Sequence, residues 1–228
     1  MSQREASLAV HLAISKTLVI EMPRLLELFS GTGSVGAAFK EIGWDVVSLD
    51  IDPKFTPTIA ADVMDWDHTT YPPGHFDVVW ASVPCTEYSC AKTIGVRKLD
   101  LADSIVERSL KIIEYCAPTW YWLENPASGL LHTRPCVQHL PKPYLVHYCA
   151  YGPPYRKPTH LWSNCPHFRP KLCNKRCWWF RDGKHLGSAQ RGPNKGDMFK
   201  SFDLKTLYAI PGPLCDDIAW VSCQGAGL

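Results

Sequence analysis

No apolar run in this 228-residue chain approaches the ~20 residues that a bilayer-spanning helix needs, and the segment 18–20 near its start is far too short. A helical membrane protein is therefore not expected. Residues 1–22 carry scattered charge and no compact apolar stretch ahead of a cleavage site, so no secretory signal is expected either. Internal repeats and low-complexity tracts are missing, which sets aside solenoids and disordered linkers. Net charge is almost absent, at +2, but that balance hides an asymmetry. Residues 1–130 hold 10 Lys/Arg against 17 Asp/Glu, whereas residues 131–205 hold 14 against 3. A basic block of this kind suits a polyanionic partner, or else forms a solvated basic surface.

Cysteine is plentiful, with 10 residues. Without a signal segment, and with several cysteines inside apolar strand-like runs, they read as reduced thiols in an intracellular protein. Hydrophobic residues at 46% and charged residues at 20% fit one globular domain, with room for a small insertion.

From residue 24 the chain alternates strand and helix. Residues 24–30 (RLLELFS) form an expected strand, followed by a glycine turn and a helix to about residue 42. Further strands are expected at 44–51, 58–63, 76–83 and 119–124, with a helix over 101–116 whose apolar positions are Leu101, Ile105, Leu110, Ile112 and Ile113. Segments 144–151 and 160–163 read as later strands, and 211–223 as a closing helix. This βαβ rhythm predicts a Rossmann-like α/β sheet with its ligand site at the carboxyl ends of the strands. The organisation expected is a leader at 1–22, a catalytic domain at 23–164 plus 206–228, and a small basic insert at 165–205.

The first strand runs into Phe29, Ser30, Gly31, Thr32 and Gly33, where glycine lets the backbone approach a ligand. Asp50 ends the second strand about twenty residues later, where a carboxylate can bind ribose hydroxyls, with Ile51 beside it. Asp62 and Val63 end the third strand, and the carboxylate there can accept from the amine of an adenine ring. These features alone fit a dinucleotide or S-adenosyl-L-methionine equally, and each acid could also be a surface residue after a buried strand.

Pro84 and Cys85 follow the fourth strand, and Glu124 and Asn125 end the fifth. One thiol, one carboxylate and the cofactor loop thus converge from neighbouring strand ends, where a lone cysteine would otherwise read as buried and structural. Carbon 5 of cytosine is too weak a nucleophile to take a methyl group directly. Thiolate addition at carbon 6 makes an enamine that is reactive at carbon 5, and an acid at ring nitrogen 3 makes that addition possible. Cys85 and Glu124 suit those two roles.

In these residues, in order and spacing, the chain resembles the cytosine-5 DNA methyltransferase family, over roughly 24–164 plus 205–220. Ile210, Pro211, Gly212, Pro213 and Leu214 resemble the family's final motif less closely. The resemblance implies S-adenosyl-L-methionine as cofactor, a flipped cytosine as substrate and a Cys85 adduct, and no obligate protein partner is evident in the sequence. Small members of this type are similar to those of phages and large DNA viruses, which would place the protein in the cytoplasm or nucleus of a host cell.

The pattern also departs from the family. After Tyr151 and Gly152 the usual glutamine–arginine spacing is not reproduced. Arg156 is the expected contact to the cytosine carbonyl oxygen, with Lys157 as its rival. The polar residue normally preceding the final motif is replaced around Tyr208. Pro153, Pro154 and Tyr155 resemble the Pro-Pro-Tyr of enzymes that methylate exocyclic amines, but they lie far from the fourth strand, where that motif belongs.

The insert interleaves Arg169, Lys171, Lys175, Arg176, Arg181, Lys184, Arg191, Lys195 and Lys200 with Phe168, Trp178, Trp179 and Phe180. Cations suit phosphates and aromatics suit bases, while Trp178 or Trp179 also suits a mini-core. Cys165, Cys173, Cys177 and His185 offer a tetrahedral zinc set, with free thiols as the alternative and His167 nearby. The remaining alternatives are an RNA cytosine-5 methyltransferase, a non-catalytic nucleic-acid-binding module and a nicotinamide-dependent enzyme, the last giving Cys85 and Glu124 no paired role.

Overall fold

The computed structural model describes residues 22–189 and 202–225. The expected leader therefore lies outside the described residues except for Met22, as do Arg191, Lys195 and Lys200 of the insert. In chain order the elements are β1 (Arg24–Leu28), α1 (Ser34–Glu41), β2 (Asp45–Asp50), β3 (Ile59–Ala60), β4 (Val78–Ser82) and α2 (Leu99–Cys116). They continue with β5 (Trp120–Pro126), β6 (Tyr144–His147), β7 (Tyr155–Arg156), β8 (Pro158–Ser163), β9 (Phe180–Arg181), β10 (Lys184–His185), β11 (Gly187–Ser188), α3 (Leu204–Tyr208) and α4 (Gly212–Gly225).

Seven strands form one sheet in the order β3-β2-β1-β4-β5-β8-β6. The first five are mutually parallel, and β8 runs antiparallel between β5 and β6. The chain reverses its direction of addition between β1 and β4, so the carboxyl ends of β1, β2, β4 and β5 share one rim of the sheet. This is the Rossmann-like α/β architecture expected.

Both faces of the sheet are covered, which is why the central strands are nearly all apolar. Leu25, Trp80, Trp122 and Leu161 pack on one side with Phe39 of α1 and Leu214 of α4. Their alternates Leu26, Val79, Ala81 and Leu123 pack on the other with Val106 and Ile112 of α2. The α2 stripe runs through Ala102, Val106, Ser109, Ile113 and Cys116, while Leu101 is exposed. Helix α2 stops at Ala117, which takes a left-handed φ of 46° directly before Pro118.

Three expected elements come out differently. The third strand is only two residues long, because the chain turns at the sheet edge, where Asp62 Oδ1 accepts from the Met64 amide at 2.9 Å. The segment 144–151 is a strand only to His147. It then tightens into a 3-10 turn over Tyr148–Tyr151, ending at Gly152 with φ 117°. Strand β8 starts at Pro158, a position where proline's missing N–H is tolerated, two residues earlier than its sequence suggested.

Candidate active site

The glycine loop after β1 is stitched to β2. Ser30 N donates to Leu49 O at 3.0 Å, and Gly31 N donates to Asp50 Oδ2 at 2.8 Å. Asp50 Oδ1 accepts from Asp52 N at 2.9 Å. Each oxygen of this buried carboxylate thus holds one backbone amide and keeps a further lone pair for a hydroxyl. Phe29 sits at φ 57°, a conformation that costs a non-glycine residue ~1–2 kcal/mol. Strain of this kind persists where surrounding bonds dictate the backbone, and here Ser30 and Gly31 dictate it. Thr32 Oγ1 and Ser34 Oγ lie 2.7 Å apart at the start of α1, where Gly33 has φ 68°.

Beside Asp50, Ile51 is 67% exposed, an apolar side chain on the rim that suits the face of a purine. Asp62 keeps its Oδ2 unengaged in the hydrogen bonds of its turn. Val63 packs its side chain in the core, and its carbonyl accepts from Arg108 Nε at 3.1 Å.

Pro84 and Cys85 follow β4 on the same rim, Pro84 exposed and Cys85 half-buried. The register pairs Ser82 of β4 with Glu124 of β5 and Glu124 with Leu161 of β8. Glu124 is buried, and Tyr148 OH donates to its Oε1 at 3.3 Å. Burial pushes the Glu124 carboxyl above its ordinary range, against the pull of Lys157 and the Tyr148 hydrogen bond. Burial, then the Glu124 charge, likewise raises the Cys85 thiol, and Lys157 opposes them. An acid whose burial favours its protonated form therefore stands beside a thiol, with one ammonium biasing both toward ionisation.

That ammonium belongs to Lys157 and not to Arg156. Tyr155 and Lys157 face one way, where Tyr155 OH donates to Thr206 O and Lys157 Nζ to Leu207 O, both at 2.9 Å. Arg156 alternates to the other face, as strand geometry requires, and its Nη2 lies 3.5 Å from His147 Nε2. Lys157, the rival to Arg156 in the sequence, is thus the cation that acts on Cys85 and Glu124, while Arg156 lies beside His147. Arg156 lines a separate cavity of about 390 Å³ together with His147, Lys175, Lys184 and Phe180.

Asn125 is fully buried and donates from Nδ2 to Val83 O at 3.0 Å. Past Cys85, Tyr88 OH donates to Asp103 Oδ1 at 2.8 Å, and Arg134 grips Asp103 from Nε and Nη2 at 2.9 and 2.6 Å. Tyr88, Asp103, Arg134 and Tyr148 were invisible as site-shaping residues in the sequence. Each acts from an element distant in the chain, and none has a motif.

Of the expected metal ligands, Cys173, Cys177 and His185 come together, but Cys165 does not join them. Cys165 is committed to the main core, where its amide donates to Ser163 Oγ and its carbonyl accepts from Tyr144 OH. Cys149 takes its place. His167 packs edge-on against Trp120. In the insert, Trp179 Nε1 donates to Gly152 O at 2.6 Å, whereas Trp178 is 75% exposed beneath the Arg181 guanidinium.

Residues 23–139 match the family model for C-5 cytosine-specific DNA methylase. Over 166 residues the chain is 36% identical to a protein described as a probable DNA (cytosine-5)-methyltransferase of Frog virus 3 (isolate Goorha), covering 66% of this chain and 74% of that one. It also aligns with a solved structure described as a DNA modification methyltransferase encoded within a prophage (E. coli). That match has 16% identity and a TM-score of 0.49, over 75% of this chain and 55% of the other. A SAM-dependent methyltransferase from Archaeoglobus fulgidus aligns at 14% identity and a TM-score of 0.35, over 55% and 53%. The chain spans about half the length of these two solved proteins.

Proposed function

The chain belongs to the C-5 cytosine-specific DNA methylase family, and from that membership we propose that it transfers a methyl group from S-adenosylmethionine to carbon 5 of cytosine in DNA through a covalent bond to Cys85. The observation that carries this reading is the meeting of Cys85, Glu124 and Lys157 on the rim that also bears the Phe29–Gly33 loop, Asp50 and Asp62.

The loop and acids fit the cofactor: Asp50 retains acceptor capacity for ribose hydroxyls, Ile51 offers an apolar face, and Asp62 an acceptor for an exocyclic amine. When bound there, S-adenosylmethionine supplies an electrophilic methyl group. Glu124, whose protonated form burial favours, donates its proton toward ring nitrogen 3 and drains electron density from carbon 6. Cys85 loses its proton under the influence of Lys157, and the thiolate adds to carbon 6. The enamine so formed is nucleophilic at carbon 5. After methylation, carbon 5 gives up its proton to solvent and its electron pair expels the Cys85 thiolate; ring nitrogen 3 returns its proton to Glu124, and Cys85 is reprotonated from solvent. Tyr148 keeps its hydroxyl proton, since burial raises it well above the ordinary phenol range, and so holds Glu124 as a donor.

The basic insert, including Lys175, Arg176, Arg181 and Lys184, provides cations for the phosphate backbone around the extruded base. The test offers tritiated S-adenosylmethionine with duplex DNA and with folded RNA. A second arm uses a duplex bearing 5-fluorocytosine, whose fluorine cannot leave as a proton and so traps the adduct. Transfer to DNA cytosine, and a trapped adduct that vanishes in Cys85→Ser, is the expected result. Transfer to RNA alone moves the substrate, and methylation that survives Cys85→Ser overturns the mechanism.

A further inference from the structure

We infer that Cys149, Cys173, Cys177 and His185 form a structural zinc site that fastens the basic insert to the catalytic sheet. Their ligand atoms all lie within 4.8 Å of one another. Cys149 Sγ is 3.5 Å and Cys173 Sγ 3.2 Å from His185 Nε2. With Zn–S of about 2.3 Å and Zn–N of about 2.0 Å, the sulfur–nitrogen edge of a tetrahedron is about 3.5 Å. The set therefore has the dimensions of a coordination shell. Three thiols and one imidazole are the donors that zinc selects in a closed tetrahedral site.

The local chain is shaped to deliver these donors. After Cys173, Asn174 and Lys175 both take left-handed conformations, φ 47° and 60°, and Arg176 N donates back to Cys173 O at 2.8 Å. This knuckle turns Cys177 toward Cys173. Asp182 and Gly183, at φ 49° and 81°, then make the two-residue turn between β9 and β10. That hairpin brings His185 back opposite Phe180.

Among the described residues the lobe has little apolar core of its own, although β11 pairs with β7 and Trp179 Nε1 donates to Gly152 O. Its strands are two residues long, Leu172 and Trp178 are exposed, and its buried Cys165 and Phe168 belong to the main core. A hairpin of this size is marginal alone, and a metal supplies folding energy where a core cannot.

Cys149 gives the site its particular consequence. It lies in the 3-10 turn after β6, one residue from Tyr148, which holds Glu124. Cys173 in turn donates its amide to His147 Nδ1 at 3.1 Å, and His147 faces Arg156. The zinc thus bonds the insert to the segment that buttresses the catalytic acid, and it fixes the basic cavity wall formed by His147 and Arg156.

The experiment purifies the full chain without chelator and measures metal by atomic emission, for wild type, Cys149→Ser and Cys165→Ser. About one equivalent of zinc is expected in wild type and Cys165→Ser, and none in Cys149→Ser. Cobalt chloride added to the chelator-stripped chain should give a tetrahedral d–d spectrum with sulfur-to-metal charge transfer. Stripping should also lower the melting temperature, and zinc chloride should restore it. Metal-free wild type whose melting is indifferent to zinc chloride overturns the site. So does zinc that is retained in Cys149→Ser but lost from Cys165→Ser. Neither readout depends on methyl transfer, so the site and the proposed reaction stand or fall separately.

Discussion

Asn125 donates to the carbonyl of Val83 at 3.0 Å, and through this bond the strand that carries Glu124 fixes the loop that carries Cys85. Val83 immediately precedes Pro84 and Cys85, while Asn125 immediately follows Glu124. The distance between Cys85 and Glu124 is thus governed by one buried amide as well as by strand pairing. Asn125→Ala leaves a buried carbonyl without its donor, an expected loss of about 1–3 kcal/mol in unfolding free energy. It should also lower kcat by up to about 10²-fold with less change in KM, because positioning and not binding is lost. A wild-type kcat in a folded variant would remove Asn125 from this role.

Glu124→Gln keeps the shape and the bond from Tyr148 but has no proton to give. Its kcat should fall roughly 10²–10⁴-fold, the usual share of a general acid. Single-turnover rates with a saturating duplex measure this directly. A fall in affinity alone would assign Glu124 to binding.

Lys157 lowers both Cys85 and Glu124, so its removal raises both. In Lys157→Met both limbs of the pH–rate profile, set by the Cys85 thiol and the Glu124 carboxyl, should move to higher pH. Arg156→Met should leave both limbs in place, since Arg156 faces His147. Equal shifts in the two variants would contradict the assignment of Lys157.

Glu27 of β1 is buried beneath α1, and burial raises its carboxyl to about 7 despite the amides of Gly36 and Val35. A raised acid favours folding while protonated. Its contribution is complete below about pH 4.5 and is lost as pH rises through about 7. Ionised Glu27 therefore costs about 3 kcal/mol at pH 8. Glu27→Gln should match wild type in denaturant midpoint near pH 4 and exceed it at pH 8. Parallel stability curves for the two proteins would show that Glu27 does not titrate in this way.

The sequence made the chemistry legible because the fold places it at strand ends. Phe29 to Gly33, Asp50, Cys85 and Glu124 each follow a run of apolar residues buried on both faces, and such runs announce themselves. Choosing between Arg156 and Lys157 needed the alternation of a strand only two residues long, which Tyr155 settles by packing under α3. Cys149 was hidden because 144–151 read as one strand, and only the 3-10 turn after His147 sends its thiol toward the insert. Cys165 was a plausible ligand by spacing but sits at the end of β8, inside the core. Tyr148 meets Glu124 only once β6 and β8 have assembled beside β5.

The packing of α4 on α1 also has a consequence for synthesis. Val35, Ala38 and Phe39 of the helix that follows the glycine loop are buried with Leu214, Cys215, Ile218 and Ala219 from the end of the chain. While the polypeptide is still emerging from a ribosome, that side of α1 has nothing of its own to cover it. The glycine loop is translated well before α4, so its supporting helix is sealed only when residues 212–225 have been made. A nascent chain stalled before residue 212 should therefore expose this apolar face to chaperones.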